Sequence, residues 1–248
     1  KYAYNYVDGR GSGVNDMLDE SWGPRMDAGL KLDQFMGKDQ PWVSHPNNVK
    51  DFWQTGITSD NNVAVSSSGD KAAGRLSLSN LQVKGTIPNT DLSQNTVNFS
   101  GTLTPSDRLT AQVNVTYLQR KSGNLPSGQY TSSNPIFSIG GWTGRQVDMR
   151  LLKDHWQDND ALGQPYNWSQ VADNPYLMIH NTNAMDRVRM FGNFNLAYKI
   201  ADWLTAKAVV GTDNYSEERK NIIQSRSKQS SSGGRFEQTH IRTNETNA

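Results

Sequence analysis

The chain has 248 residues, a formal net charge of +1, no cysteine and 34% hydrophobic residues, with a mean hydropathy of −0.74. A near-neutral charge leaves no electrostatic footprint for nucleic acid, and no run of about eighteen apolar residues offers a transmembrane helix. The missing cysteines exclude a disulfide framework and thiolate metal sites, and an aromatic content of 9% argues against wholesale disorder.

In chain order, Lys1 opens without a charged-then-apolar leader into Tyr2, Tyr4 and Tyr6, which alternate with Ala3 and Asn5 as a strand over 2–6 ending in an aromatic girdle. Residues 7–61 are irregular and rich in Gly, Asp, Asn and Pro. A strand over 62–68 turns at Gly69-Asp70-Lys71 into another over 72–82. After a loop at 83–94 come a strand over 95–104, a break at Pro105-Ser106-Asp107 and a strand over 108–120. Residues 122–186 form the longest irregular stretch. The alternation returns over 187–200, turns at Ala201-Asp202 and continues over 203–215. A polar loop over 217–234 has a serine-rich tip, and a last strand over 236–247 reads as cut off midway. The chain is therefore expected to be a piece of something longer.

Period-two patterning gives these strands one apolar and one polar wall. Val97, Phe99, Gly101 and Leu103 alternate with Asn98, Ser100, Thr102 and Thr104, and Leu109, Ala111, Val113, Val115 and Tyr117 with Thr110, Gln112, Asn114 and Thr116. The strands exceed the five or six residues usual in soluble proteins; about ten, tilted by about 45°, cover the ~25 Å apolar band of an outer membrane. Such a barrel hides from hydropathy averages, because half of every strand faces a polar lumen. The connections alternate strictly between short and long, as tight periplasmic turns and long extracellular loops do. Arg187, Arg189, Lys199, Lys207 and Asp213 all fall on the polar wall. A soluble extracellular all-β binding module and a passive porin are the other readings of the pattern.

Several segments resemble the SusC/RagA family of TonB-dependent outer-membrane transporters of Bacteroidota. Ser21-Trp22-Gly23-Pro24 looks like the family's segment in the first extracellular loop. The run Asn47-Asn48-Val49-Lys50-Asp51-Phe52-Trp53-Gln54-Thr55-Gly56 is similar to the stretch leading into the second strand. Leu76-Ser77-Leu78-Ser79 with Lys84-Gly85-Thr86-Ile87-Pro88-Asn89-Thr90-Asp91, and Asn174-Pro175-Tyr176 followed by 187–199, follow in the family's order. The resemblance implies an all-β fold, this chain being an arc of about eight antiparallel strands from a barrel of about twenty-two. It also implies a SusD-like lipoprotein lid, energy from TonB-ExbB-ExbD, outer-membrane lipid around the wall, and a dimeric assembly of two SusC-like and two SusD-like chains. The cargo would be an oligosaccharide or peptide. The family's plug and TonB box have no counterpart in this stretch. An arc of wall also differs from a closed eight-stranded barrel, whose own side chains fill it.

Candidate chemistry is sparse. Gly9-Arg10-Gly11-Ser12-Gly13 lacks the preceding buried strand and following helix of a phosphate loop, so it reads as a flexible loop. His45, His155, His180 and His240 are scattered, and Asp158-Asn159-Asp160 is too little for a calcium loop, so surface acids are the simpler reading. No nucleophile–base arrangement is legible, so no enzyme, cofactor or metal is expected. The informative cluster is aromatic: Trp142, Trp156, Tyr166, Trp168 and Tyr176 in the long loop. Rings beside Asn, Gln and Asp are suited to stacking on sugars, gripping peptides or meeting the lid protein, and packing of the loop on itself is the plainer reading. Arg187, Arg189 and Lys199 would face a plug.

Overall fold

The computed structural model describes residues 25–34, 37–128, 134–153, 173–225, 227 and 233–248. A single seven-stranded antiparallel sheet dominates, ordered β3-β4-β5-β6-β7-β8-β9, each strand beside its neighbour in sequence. The strands are β3 (Ile57–Ser68), β4 (Ala72–Lys84), β5 (Asp91–Ser106), β6 (Leu109–Ser122), β7 (Thr182–Ala201), β8 (Leu204–Ile223) and β9 (Arg235–Asn247). The fold is all-β, an antiparallel meander of the kind a barrel wall is cut from. The expected strand over 2–6 lies outside the described residues.

Register keeps each side chain class on its own face. Leu76 stands opposite Phe99, Phe99 opposite Val115, and Val115 opposite Gly192. One row over, Gly101 meets Val113, Val113 meets Phe194, and Phe194 meets Val210. Directly opposed residues in an antiparallel ladder share a face, so the apolar side chains merge into one continuous band. Along β7 the band runs from Met190 to Ile200. At roughly 3.4 Å per residue and a tilt of about 45°, that is about 24 Å of thickness, matching an outer-membrane apolar belt.

This band is not a protein core. Val63 is 66% exposed, Val65 70%, Phe99 43% and Phe194 46%, and among the described residues no second sheet covers them. A soluble sandwich would press such faces together. Trp203, 84% exposed at the β7–β8 turn, lies beyond the band with Tyr198 and Ile200 nearby, where an amphipathic ring suits a membrane interface.

The true core sits at the other end of the strands. Phe52, Ile87, Ile139, Val147, Met149, Leu152 and Ile179 are buried together, with Val49, Trp53 and Tyr176 packed against them. They come from the described parts of the connections 42–56, 85–90 and 123–181, which pack together as one cap. Its pieces are short: α1 (Asn48–Phe52), α2 (Pro135–Phe137) running into a π turn (Ser138–Trp142), a 3-10 turn (Met149–Leu152) and α3 (Pro175–Met178). Asn134 and Asn174 cap α2 and α3, each accepting a hydrogen bond from a backbone N–H two residues on.

The boundaries differ from the sequence reading in one consistent direction. β3 starts at Ile57 instead of 62, β5 at Asp91 instead of 95, β7 at Thr182 instead of 187, and β8 ends at Ile223 instead of 215. All four extensions lie at the cap end, beyond the apolar band, where polar residues predominate and the few apolar ones do not alternate, although the ladder continues. The connection read as 83–94 shrinks to 85–90, closed by Gly85 N–H donating to Thr90 O at 2.9 Å, with Asn89 at φ 60°. Within 7–61 the structure adds a hairpin, β1 (Lys31–Gln34) and β2 (Gly37–Pro41). The polar run of this hairpin hides it; buried Leu32 and Trp42 anchor it.

Candidate functional site

The second face of the sheet is predominantly polar. One row reads Ser66, Arg75, Ser100, Asn114, Asn193, and the next Ala64, Ser77, Asn98, Thr116, Phe191, Asp213. Neighbouring strands are stitched by side chains: Asn98 donates to Thr116 Oγ1 at 2.7 Å, Asn114 to Asn193 Oδ1 at 3.3 Å, and Arg120 to Gln94 Oε1 at 2.7 Å. Ser66, Arg75, Ser100, Thr102, Gln112 and Asn114 line an open concavity of about 470 Å³ on this face. Hydroxyls, amides and a guanidinium there offer donors and acceptors to a hydrated guest.

Toward the cap the face becomes charged. Glu217 is buried between Arg187, its partner across the ladder, and Arg219, and its carboxylate accepts from both. Arg189 donates to both oxygens of Asp213 from one guanidinium edge, through Nε at 2.8 Å and through Nη2. Aromatic rings support the two cations: Arg189 lies 4.8 Å from the Phe191 centroid and Arg187 5.4 Å from that of Tyr215. The sequence reading picked out Arg187 and Arg189 but placed Glu217 and Arg219 in a loop. The signal that finds them is parity, since Asp213, Tyr215, Glu217 and Arg219 continue one face of β8. Lys199 stands apart, at the opposite end of β7, paired with Asp202 at 2.7 Å.

The cap roofs this charged end and is tied together by amides reaching into other loops. Asn48 donates to Gly144 O at 2.9 Å, Gln54 to Gly85 O at 2.8 Å, and Asn174 to Leu152 O at 2.9 Å. Asn89 and Asn124 both donate to Ile179 O, at 2.7 and 3.3 Å. Asp148 begins the 3-10 turn: its Oδ1 accepts from Arg150 N at 3.1 Å and from Arg150 Nε at 2.9 Å, and its Oδ2 from Nη2 at 2.7 Å. Those Arg150 contacts hold the Asp148 carboxyl below the usual carboxylate range, against the upward push of its burial. His45 Nδ1 is 3.8 Å from the same carboxylate.

Of the aromatic candidates, Trp156, Tyr166 and Trp168 lie outside the described residues, and for Trp142 only the backbone is described, as the last residue of the π turn. Tyr176 opens α3 with its ring edge-on to Phe52, centroids 5.3 Å apart, and its hydroxyl donates to Asp51 O at 3.4 Å. The structure therefore places Tyr176 in the wall of the cap. Among the described residues no three His, Asp or Glu side chains gather as a metal site.

No known family profile matches the sequence, and no curated protein is a detectable relative. Solved structures do share the fold. The chain superimposes on the RagAB peptide importer in its "open-open" state with a TM-score of 0.59 at 13% identity, covering 80% of this chain and 22% of that one. The "closed-closed" state of the same importer gives 0.57 at 13%, with coverage of 80% and 22%. A structure of the RagAB peptide transporter gives 0.61 at 13%, covering 83% of this chain and 23% of the other. The chain thus spans less than a quarter of each of these chains, and the likeness is one of all-β fold.

Proposed function

We propose that the chain is part of the barrel wall and extracellular cap of a SusC-like, TonB-dependent transporter in a Gram-negative outer membrane. It imports oligosaccharides or peptides together with a SusD-like lipoprotein. The observation that carries this reading is the exposed apolar band, about 24 Å deep, backed by a polar face that carries the Arg187–Glu217 and Arg189–Asp213 pairs. Lipid covers the band; the polar face borders the transport path and the plug. The cap and the loop residues Trp142, Trp156, Tyr166, Trp168 and Tyr176 are where cargo and lid are met.

In this scheme the wall lowers the cost of moving a polar guest by offering hydrogen-bond partners in place of water. The stitched cap holds the entrance in a fixed shape, which limits the ordering cost on capture. Fractionation of cells producing the full-length protein tests the assignment. The protein is expected in the outer-membrane pellet after a high-salt wash, released by detergent, and accompanied by a surface lipoprotein. Its recovery in the soluble fraction without detergent rejects the reading. Cargo uptake is expected to stop when the proton-motive force is dissipated, which a passive porin would not show.

A further inference from the structure

A small pocket opens where the cap meets the ends of β7, β8 and β9, and nothing above uses it. Its volume is about 100 Å³, several times the ~10–15 Å³ that one water needs and close to the size of one amino-acid side chain. Ile87, Pro126, Met178, Ile179 and Ile223 supply apolar wall. Among the described residues, no Phe, Tyr or Trp and no Asp or Glu lines it.

Two donors stand in it at one level of the sheet. Asn181 immediately precedes Thr182, which pairs with Ile222, and Arg235 lies opposite Ile223. Asn181, Ile223 and Arg235 thus form a row on the inner face, with the apolar residue between the polar ones. Asn181 Oδ1 accepts from Gln224 N–H at 2.8 Å, which fixes the orientation of its amide. Its Nδ2 is shielded from solvent and has no hydrogen-bond partner. Arg235 makes no ion pair among the described residues, although Glu237 follows two positions along the same face. A buried donor without a partner, as Asn181 Nδ2 is, is rare in folded chains and marks a place where a partner is missing, and the exposed Arg235 guanidinium stands beside it.

We propose that this pocket binds a carboxylate carried beside an apolar group, as at the carboxy-terminal residue of a short peptide. The carboxylate accepts from Asn181 Nδ2 and, in a charge-assisted bond, from the Arg235 guanidinium, with no acid among the described lining residues. The apolar side chain fills the space between Ile87, Met178 and Ile223. The inference rests on the importer reading and names the chemical group that this pocket takes.

Isothermal titration of the detergent-solubilised full-length protein tests it, with N-acetyl-Ala-Leu, the same dipeptide as its carboxy-terminal amide, and maltotriose as probes. The free acid is expected to bind, the amide to bind about ten-fold more weakly or worse, and maltotriose to compete with neither. Arg235→Gln and Asn181→Asp should each weaken the free acid by about ten-fold or more. Asn181→Asp keeps the acceptor for Gln224 N–H, and Arg235→Gln keeps the β8–β9 ladder, so both variants retain the fold. Equal binding of acid and amide, unchanged affinity in both variants, or no binding of the acid by the unaltered protein overturns the proposal. Membrane fractionation of the same preparations keeps the two claims apart: an outer-membrane protein that ignores the acid sinks the pocket alone, and a soluble one sinks the transporter reading.

Discussion

Val115 on β6 sits directly opposite Gly192 on β7, and the two strands approach so closely there that a Cβ on Gly192 would overlap the Asn114 carbonyl oxygen and come within 3.0 Å of Val115 Cα. The obstacle is backbone in the middle of a ladder, which cannot swing aside as a side chain tip does. Gly192→Ala is therefore expected to destabilise the sheet by about 1–3 kcal/mol. Gly211→Ala is its control, because the nearest atom to a Cβ there is Gly192 O at an ordinary 3.7 Å. Urea unfolding of the detergent-held protein should separate the two variants, and equal midpoints would show that the strands can part freely.

The two faces of β7 make opposite predictions for a single lysine. Phe194 lies within the apolar band and Asn195 on the polar face. Phe194→Lys should cost about 2–4 kcal/mol by placing an ammonium against acyl chains, whereas Asn195→Lys should stay within roughly 0.5 kcal/mol. The yield of folded protein in the outer membrane reads the difference. If both variants assemble equally well, lipid does not touch the Phe194 face.

How much of this is legible in the sequence depends on the apolar band. On the proposed reading lipid faces the sheet along Val97 to Leu103 and Met190 to Ile200, so every second residue there is apolar or small, and the alternation discloses the strand and its face. Past the band that demand ends. Ser216 to Asn221 is polar on both sides and looks like loop, yet Glu217 pairs with Arg187 and Asn221 with Asn183 in an unbroken ladder. The cap was opaque for another reason. Ile139, Val147, Met149 and Leu152 follow no period, and their burial depends on Phe52 and Ile87, distant in the chain. The aromatic cluster was found by composition, but composition alone does not tell a ring that meets cargo from one, such as Tyr176, that packs on Phe52.

Local stability in the cap should be separable from that of the wall. Asn124 is buried; its Oδ1 accepts from Asn183 N–H at 2.9 Å while its Nδ2 donates to Ile179 O at 3.3 Å. Asn89 still serves that carbonyl when Asn124 is removed, so the main casualty of Asn124→Ala is the Asn183 N–H. Leaving it unpaired should cost the cap about 1–3 kcal/mol. Hydrogen exchange is expected to rise around residues 173–183 with little change in β5 and β6, because such openings are local. Uniform acceleration across the sheet would mean that cap and wall unfold as one unit.

Acid should loosen the cap through Asp148. Its carboxyl is held below the ordinary value in the folded chain, first by the Arg150 hydrogen bonds and with burial opposing. A group depressed on folding contributes stability that is complete above its unfolded value, near 3.9, and is lost as pH falls through the lower folded one. Protection of the segment 144–153 against proteolysis should therefore be flat from neutral pH down to about pH 5 and decline below that. Arg150→Gln removes the principal cause of the shift. That variant should be less protected at neutral pH and show a shallower decline, converging with the parent once both carboxyls are protonated. Asp148→Asn, which cannot titrate, should lose the slope as well, whereas a slope unchanged in both variants would assign the acid sensitivity to another group.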